Sequence, residues 1–337
     1  MPHEFARRCG EDARLVSGTG LALSMKNYTF IDYATQGYIA LVAVIILLLH
    51  GDAVPGWGWF VGAHGLCLVL IHWLIHASAA RPANRVLDFL RHFYPVLLYT
   101  GFYRETGSLN QMVYTGYVDP TFFRLDEQIF GFAPSFKFME TFPQTLVSEL
   151  FYFSYFSYYL MIVGVGLALF LRDRRQFYHY VSVVSFVFYV CYLIYVFLPV
   201  VGPRIYYREL VDFDLPPDVI PAVVPVFPAS VQAGPFFKIM AVIYHNFESP
   251  GAAFPSSHVA IALVTVYFSF LYLRKIRWPH LVLAILLCLS TVYGRYHYAV
   301  DIAAGALTTA LMLPLGNWLY RKFGRRASDS ATQPGGV

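Results

Sequence analysis

The chain carries little charge for its length. Only 13% of its 337 residues are charged and 58% are hydrophobic, whereas about 25% of the residues in a typical soluble domain are charged. The formal net charge is +4, and the basic residues stand in short groups between apolar runs. We therefore expect a membrane protein. A nucleic-acid partner is excluded, because it would require a concentrated basic surface.

Cysteine is also scarce. Cys67, Cys191 and Cys288 lie within apolar runs, and Cys9 lies in the polar N-terminal segment. No CxxC spacing is present, so we expect neither a disulfide nor a metal site. No small-residue cleavage site follows the first apolar run, near residues 39–50. We therefore expect this run to remain in the protein as a membrane span.

Long apolar runs are abundant instead. A membrane-spanning helix needs roughly 17–25 apolar residues. Runs of about this length lie at 33–50, 58–79, 146–171, 178–200, 256–273, 279–295 and 297–319. The segment 87–106 is less apolar because Arg91, His92, Pro95 and Arg104 interrupt it, so it could either span or re-enter. We predict an all-α, polytopic membrane helical bundle with about eight transmembrane helices.

The basic groups orient this bundle. Threading the last five spans places three groups on one face, which the positive-inside rule assigns to the cytoplasm. The groups are Arg172, Arg174 and Arg175; Arg274, Lys275 and Arg277; and Arg321, Lys322, Arg325 and Arg326. We favour both termini inside, with 87–106 crossing. The proline-broken loop 201–254 and the segment 107–145 then lie on the extracytoplasmic side.

Ionisable residues at the ends of spans indicate function, because they are costly to desolvate. The threading brings Arg204, His258, Arg295, His297 and Asp301 to the extracytoplasmic face. His297 and Asp301 are four residues apart on a predicted helix and share a face. The carboxylate can fix the imidazole tautomer and leave the other ring nitrogen free to attack. The planar guanidinium of Arg204 can bind phosphate oxygens.

The segment Pro255-Ser256-Ser257-His258 is predicted to begin a helix. Proline suits the first turn, where its missing N–H costs nothing. The free backbone N–H groups of Ser256, Ser257 and His258 would then form an anion site at the helix N-terminus. The two serine hydroxyls add further donors.

Together these segments resemble a known family. The set Gly202-Pro203-Arg204, Pro255–His258 and His297-x-x-x-Asp301 resembles the type 2 phosphatidic acid phosphatase superfamily. The full pattern is most similar to its inositol phosphorylceramide synthase-like (inositolphosphotransferase) branch, over about residues 107–320. That pattern also includes Asp126, Phe130-Gly131, Pro134, Ser154-Tyr155 and Tyr159.

The resemblance implies a six-helix phosphatase-like core and catalysis through a phosphohistidine, with no cofactor or metal. It also implies a role for each matching residue. His297 is the nucleophile, Asp301 its partner and His258 the acid for the leaving group. Arg204, Ser256 and Ser257 bind the phosphoryl group.

Three positions depart from the phosphatase pattern. Phe197, Ser257 and Thr291 stand where it has lysine, glycine and arginine. A phosphoryl site that lacks two cations needs a substitute, because charge on the transferred group must be balanced. Arg295 is the nearest candidate. The departures count against simple phosphatidate hydrolysis more than against phosphoryl transfer.

We therefore predict a polar leader (1–30), N-terminal transmembrane helices (31–106), a catalytic membrane domain (107–320) and a disordered cytoplasmic tail (321–337). The predicted enzyme acts on a phosphorylated lipid at the extracytoplasmic face of the cell membrane, with water, an alcohol or a lipid as acceptor. The alternatives are a simple lipid phosphate phosphatase and a non-catalytic lipid or solute transporter. The lipid, the acceptor and the oligomeric state stay open.

Two further patterns have alternative interpretations. His72 and His76 are four residues apart on the second span and could bind a metal, although helix packing is favoured because no third ligand is evident. The aromatic run 151–159 could line a lipid groove. Its small residues, Ser154 and Ser157, equally suit close helix packing.

Overall fold

A computed structural model describes residues 27–209 and 226–324. Most of the predicted leader, the loop that contains Pro216, Pro217, Pro221 and Pro225, and the tail beyond residue 324 lie outside the described residues. The last helix extends to Gly324, so the first four residues of the segment predicted as a disordered tail are helical.

The described residues form helices joined by short connections, with no strand among them. The helices are α1 (Phe30–Leu49), α2 (Trp57–Ala80), α3 (Arg85–Leu109), α4 (Asp119–Phe130), α5 (Pro134–Thr141), α6 (Thr145–Arg172), α7 (Arg174–Phe197), α8 (Pro203–Glu209), α9 (Ala229–Gln232), α10 (Pro235–Phe247), α11 (Ser257–Tyr272), α12 (Arg277–Tyr293) and α13 (Ala299–Gly324). Each predicted span coincides with one helix to within a few residues. The prediction of an all-α polytopic membrane bundle is confirmed.

In the described part of the chain, five helices are long and apolar enough to cross a bilayer, namely α1, α2, α6, α7 and α13. Two shorter apolar helices, α11 and α12, have 16 and 17 residues. Helix α3 has 25 residues and is long enough to cross a bilayer. Its polar side chains make it less apolar than the five helices named above. That this segment crosses the membrane therefore stays a prediction.

Polar residues at the helix ends explain several boundaries. Asn84 and Asp173 accept backbone N–H groups in the first turns of α3 and α7, which satisfies donors that a helix start leaves free. Gly131 ends α4 in the left-handed conformation, with φ of 76°, which glycine adopts readily at the C-terminus of a helix.

Helix α7 is the centre of the bundle and the most buried of the five long apolar helices. It packs against α1, α3, α6, α11 and α13. The basic groups meet at one end, where Arg172 Nη1 donates to the Tyr272 carbonyl at 2.8 Å and Tyr320 donates to the Arg175 carbonyl at 3.4 Å. The segments that carry the predicted site residues lie at the other end. This two-ended arrangement agrees with the threading.

A buried ion pair joins the N-terminal helices at the basic end. Arg91 Nη2 on α3 lies 2.5 Å from Asp32 Oδ2 on α1, and Tyr94 donates to Asp32 Oδ1 at 2.7 Å. The Asp32 side chain is fully buried. Separating the two side chains would leave each charge uncompensated inside an apolar bundle. The pair therefore fixes α1 against α3.

Replacing Arg91 by alanine should lower the free energy of unfolding by about 3–5 kcal/mol, because the Asp32 carboxylate would stay buried without its cation. The double change Asp32→Asn with Arg91→Leu should cost less, because it leaves no charge inside. Arg174→Ala removes an exposed pair with Asp88 and a contact with the Phe170 ring, and it should cost about 1–2 kcal/mol. Thermal unfolding in detergent micelles compares the three. A double variant as unstable as Arg91→Ala would contradict this account.

Candidate active site

The two predicted catalytic histidines lie in contact. His297 Nε2 is 3.5 Å from His258 Nδ1 and 3.2 Å from Ser256 Oγ, while His297 Nδ1 is 3.2 Å from Asp301 Oδ2. Because a carboxylate can only accept, it holds a proton on Nδ1 and leaves the lone pair of Nε2 directed towards Ser256 and His258. The structure therefore brings four of the predicted site residues into one hydrogen-bonded cluster.

The His297–Asp301 pair forms at the start of α13 rather than within it. The prediction that both residues are helical is wrong for His297, because α13 begins at Ala299. Asp301 lies in the first turn and accepts the backbone N–H of Tyr298 at 2.9 Å on the oxygen that also faces His297. This bond is half of a capping box. It fixes the carboxylate independently of the histidine.

The start of α11 also differs from the prediction. Pro255 is not in the first turn, because Ser256 is the N-cap and the helix begins at Ser257. The Ser256 N–H donates to the Asp301 carbonyl at 3.3 Å, and the Ser257 N–H donates to the Tyr195 hydroxyl at 3.2 Å. Two of the three N–H groups expected to bind an anion are therefore already used. Tyr195 also donates to the Pro255 carbonyl at 3.0 Å, so it holds this segment in place.

The two arginines lie on adjoining backbone segments beside the histidines. The Arg204 N–H donates to the Arg295 carbonyl at 2.7 Å. Both guanidinium carbons lie 4.9 Å from the ring centre of Phe227, and that of Arg204 lies 4.9 Å from the ring centre of Tyr296. Aromatic faces stabilise cations at this range. Arg295 is 0% exposed, so it does not reach the lipid headgroups.

Arg295 also has an unusual backbone conformation. Its φ is 62°, in the left-handed region that few residues other than glycine adopt. The following residues turn tightly, because the N–H groups of Tyr296 and His297 both donate to the Thr291 carbonyl, at 2.9 and 3.1 Å. This turn places an arginine and a histidine two positions apart on the same side of the bundle end.

Two carboxylates on α4 hold these segments together. Asp119 accepts the N–H groups of Val201 and Gly202 at 2.9 and 2.8 Å and the hydroxyl of Tyr298 at 2.9 Å. Asp126 accepts the N–H groups of Ala299 and Val300 at 2.8 and 3.0 Å, at the N-terminus of α13. Burial raises the pKa of Asp119 to about 7 and that of Asp126 to about 6, and the hydrogen bonds limit both rises.

Asp119 was not predicted from the sequence, although a signal was present. Asp119 and Asp126 are seven residues apart, so they share one face of a helix. Both are buried on that face with Phe122 and Phe123. An acidic pair on the apolar face of an amphipathic helix indicates buried partners, because an uncompensated carboxylate would be costly there.

Gly202 allows the closest backbone approach in the site. Its φ is 96°, and a Cβ at this position would overlap the carbonyl oxygen of Tyr296. The residue must therefore be glycine both for its conformation and for space. This contact sets how closely the Arg204 segment approaches the His297 segment.

A cavity of about 540 Å³ opens beside His258, within the size range of small-molecule sites, roughly 300–1,000 Å³. Its walls come from α3, α6, α7 and α10, and they are largely aromatic. They include Tyr99, Tyr103, Tyr155, Tyr159, Phe188 and Tyr244. The aromatic run 151–159 thus serves both interpretations, since Tyr155, Phe156, Tyr158 and Tyr159 line the cavity while Ser154 and Ser157 are buried in helix packing.

The second nitrogen of His258 has its own partner. His258 Nε2 lies 3.0 Å from the Tyr155 hydroxyl, which lies 3.0 Å from the Tyr244 hydroxyl. These tyrosines come from α6 and α10, helices that are far apart in sequence. Neither contact was predicted.

His72 and His76 lie away from this site. The Tyr28 hydroxyl is 2.7 Å from His72 Nδ1, and the two imidazole rings are 4.5 Å apart. Within residues 27–209 and 226–324, no group of three or more His, Cys, Asp or Glu side chains is arranged to hold a metal ion. The Tyr28 contact packs the entrance of α1 against α2.

Comparisons with known proteins agree with this geometry. Residues 121–315 match the PAP2 superfamily. The bacitracin transport permease protein BcrC of Bacillus licheniformis is 37% identical over 85 residues, which are 25% of this chain and 40% of that protein. The similarity thus spans less than half of that relative. No solved structure gives a significant match.

Gly202→Ala should weaken binding of orthovanadate, a phosphate mimic, by about a hundredfold, because displacing Tyr296 moves the adjacent arginine and histidine by an ångström or so. Gly131→Ala is the matched control. Its φ of 76° is equally strained for alanine, but no atom lies within 4 Å of the added Cβ, so it should cost only about 1–2 kcal/mol of stability. Calorimetric titration and thermal unfolding separate the two effects. Equal orthovanadate affinity in both variants would rule out the close approach as the cause.

Proposed function

The chain belongs to the PAP2 superfamily, and from this premise we propose that it is a lipid-phosphate phosphotransferase or phosphatase that acts through a phosphohistidine. Membership of the superfamily supports a membrane lipid phosphatase-type function. The observation that carries the finer proposal is the contact between His297 and His258 at the mouth of an apolar cavity. One histidine has an ordered carboxylate behind it, and the other faces the space where a leaving group would lie.

His297 is the nucleophile in this mechanism. The Asp301 carboxylate holds the Nδ1 proton, so Nε2 carries the lone pair that attacks phosphorus. As the N–P bond forms, the carboxylate stabilises the positive charge on the ring. Asp301 is itself fixed by the Tyr298 N–H, which keeps the imidazole oriented before substrate binds.

His258 is the acid for the leaving group. A reacting atom must lie roughly 3–3.5 Å from its nucleophile. A proton donor must lie roughly 2.6–3.2 Å from the leaving oxygen. The histidine nitrogens are only 3.5 Å apart, too close to hold a phosphorus and an oxygen between them. In this mechanism the rings separate when substrate enters, and His258 moves towards the cavity.

Positive charge for the phosphoryl oxygens comes from Arg204 and Arg295. Arg204 Nη1 and the Tyr296 hydroxyl are buried and have no hydrogen-bond partner among the described residues. Buried donors in native proteins are normally satisfied, and an anionic phosphoryl group would satisfy these two. Arg295 supplies the second cation in place of the arginine that Thr291 replaces. Ser256 adds a hydroxyl beside Nε2 of His297.

The substrate class follows from the cavity. Its aromatic and aliphatic lining on the His258 side suits the hydrocarbon part of a lipid alcohol, which leaves as His258 protonates its oxygen. The same site can accept a second lipid alcohol in the reverse direction. This supports transfer, as in the inositol phosphorylceramide synthase-like branch, and leaves hydrolysis as the outcome when water enters. A sphingolipid acceptor would fit the same cavity.

His297→Ala should abolish turnover and any acid-labile phosphoenzyme, because no other nitrogen has an oriented carboxylate. Purified protein is given a panel of phosphate-labelled phospholipids in EDTA, with and without candidate alcohols. Free phosphate indicates a phosphatase, and labelled product lipid indicates a transferase. Binding without turnover would support a transporter, the role for which the Bacillus licheniformis relative is named. His245→Ala removes an exposed histidine on α10 and should keep full activity. A phosphoenzyme in His297→Ala would overturn the assignment.

We propose that the site lies on the extracytoplasmic face, which the positive-inside rule supports. Glu140 is exposed near the site and Lys275 is exposed at the basic end. In a chain without Cys9, Cys67, Cys191 and Cys288, a cysteine at position 140 should react with an impermeant thiol reagent in intact cells. A cysteine at position 275 should react only after permeabilisation.

The reverse labelling pattern would place the site in the cytoplasm. Ser257 is unsuitable for this experiment because it is only 4% exposed, so its low reactivity would not report sidedness. Activity of each labelled variant is measured in parallel to verify that the fold is retained.

A further inference from the structure

A chain of hydrogen bonds continues beyond His258, away from the nucleophile. It runs from His258 Nε2 to the Tyr155 hydroxyl and on to the Tyr244 hydroxyl, with both steps 3.0 Å long. Tyr155 is 0% exposed, whereas Tyr244 is partly exposed and lines the cavity. The chain therefore runs from the half-buried His258 imidazole, through a fully buried tyrosine, to a second hydroxyl in the space that solvent and substrate can enter.

The order of donors along this chain decides where His258 carries its proton. A tyrosine hydroxyl has one proton to donate and can accept another. If Tyr244 donates to Tyr155, the Tyr155 proton points at Nε2, and neutral His258 carries its proton on Nδ1. That nitrogen faces His297 and the phosphoryl position. The partner of one ring nitrogen thereby sets the tautomer at the other.

We propose that Tyr155 and Tyr244 form a proton relay that sets the tautomer of His258 and replaces the proton it gives to the leaving group. This inference rests on the proposed function. It makes Tyr155 and Tyr244 positioning residues, because they act through His258 and not on the phosphoryl group.

Protons and electrons balance in both halves of the reaction. His297 Nε2 bonds to phosphorus, and the bond from phosphorus to the leaving oxygen breaks with its electron pair on oxygen. That oxygen takes the Nδ1 proton of His258, Nε2 takes the proton of Tyr155, Tyr155 takes that of Tyr244, and solvent re-protonates Tyr244. In the second half the acceptor oxygen bonds to phosphorus as the N–P bond breaks, and its proton returns along the same path.

The relay answers an energetic problem. A neutral imidazole that gives up its only proton becomes an anion, and an isolated charge is very costly in an apolar site. The titratable groups around His258 are tyrosines, His297 and one carboxylate across the cavity. They are Tyr155, Tyr158 and Tyr159 on α6, Tyr192 and Tyr195 on α7, Tyr99 and Tyr103 on α3, Tyr244 and Glu248 at the end of α10, and Tyr296 and His297 before α13. Concerted transfer keeps the ring neutral throughout.

Packing holds the relay in line. The Tyr296 ring lies 4.3 Å from that of Tyr155 and 4.2 Å from that of Tyr244. The helix that carries Tyr244 is anchored by Glu149, which accepts the N–H groups of Phe236 and Phe237 at 2.8 and 3.2 Å. Because Glu149 accepts free N–H groups in the first turn of α10, it fixes the position of this helix over the hydroxyls of Tyr155 and Tyr244.

Tyr155→Phe tests the relay, because it removes one oxygen and keeps the ring. Turnover of a phospholipid with an alkyl alcohol as leaving group should fall by about 10- to 100-fold, within the usual range for proton-transfer catalysis. Turnover of para-nitrophenyl phosphate should change by less than about threefold, because that leaving group needs no proton. Tyr244→Phe should show the same selectivity with a smaller loss.

The matched control is Tyr189→Phe, which removes a buried hydroxyl that lies 3.0 Å from the Thr35 hydroxyl on α1 and does not line the cavity. It should affect both substrates equally and little. Equal losses on both substrates in Tyr155→Phe would mean that the hydroxyl is only structural and would overturn the relay. Failure of the proposed function is distinguishable, because it would appear as turnover retained by His297→Ala.

Discussion

The site depends on two carboxylates of one amphipathic helix. Asp119 binds the backbone that precedes Arg204, and Asp126 binds the N-terminus of the helix that carries Asp301. Each joins segments that are far apart in the chain. A buried carboxylate needs several donors, and backbone N–H groups at a helix start need acceptors. The carboxylates and the backbone N–H groups satisfy one another. Helix α4 therefore fixes the distance between the arginine segment and the histidine segment.

Much of this arrangement could be predicted from the sequence. Apolar run lengths located the spans, and the alternation of basic groups placed His258, His297 and Arg204 at one end. The i, i+4 spacing of His297 and Asp301 predicted their contact, although His297 lies before the helix. The use of the Ser256 and Ser257 N–H groups could not be predicted, because their acceptors, Asp301 and Tyr195, come from other helices. Long-range partners of this kind leave no local spacing pattern.

Aromatic residues give the site a low-polarity environment in which hydrogen bonds have large effects. Arg204 lies among the rings of Phe227, Phe237, Tyr244 and Tyr296, and His258 packs against Tyr155 and Tyr158. Such surroundings strengthen electrostatic interactions and make an unpaired polar group costly. The tyrosines supply both the apolar surface and single hydroxyl donors. In the proposed mechanism these surroundings strengthen the attraction of Arg204 and Arg295 for a phosphoryl group.

Helix α3 extends the site beyond the part of the chain that matches the superfamily. Its Val96, Tyr99, Thr100 and Tyr103 form one wall of the cavity. It is also tied to the segment that leads into the catalytic Pro-Ser-Ser-His sequence, because Asn110 donates to the Pro250 carbonyl at 2.5 Å and Ser249 donates to the Arg104 carbonyl at 3.4 Å. Gly107 leaves room for this contact, since a Cβ there would overlap Ser249. In the proposed mechanism the N-terminal helices thus shape the leaving-group side of the site, while most of the phosphoryl side is built from the segments that match the superfamily. Under that proposal, selection among lipid alcohols is a property of α3 and its contacts as much as of the matching core.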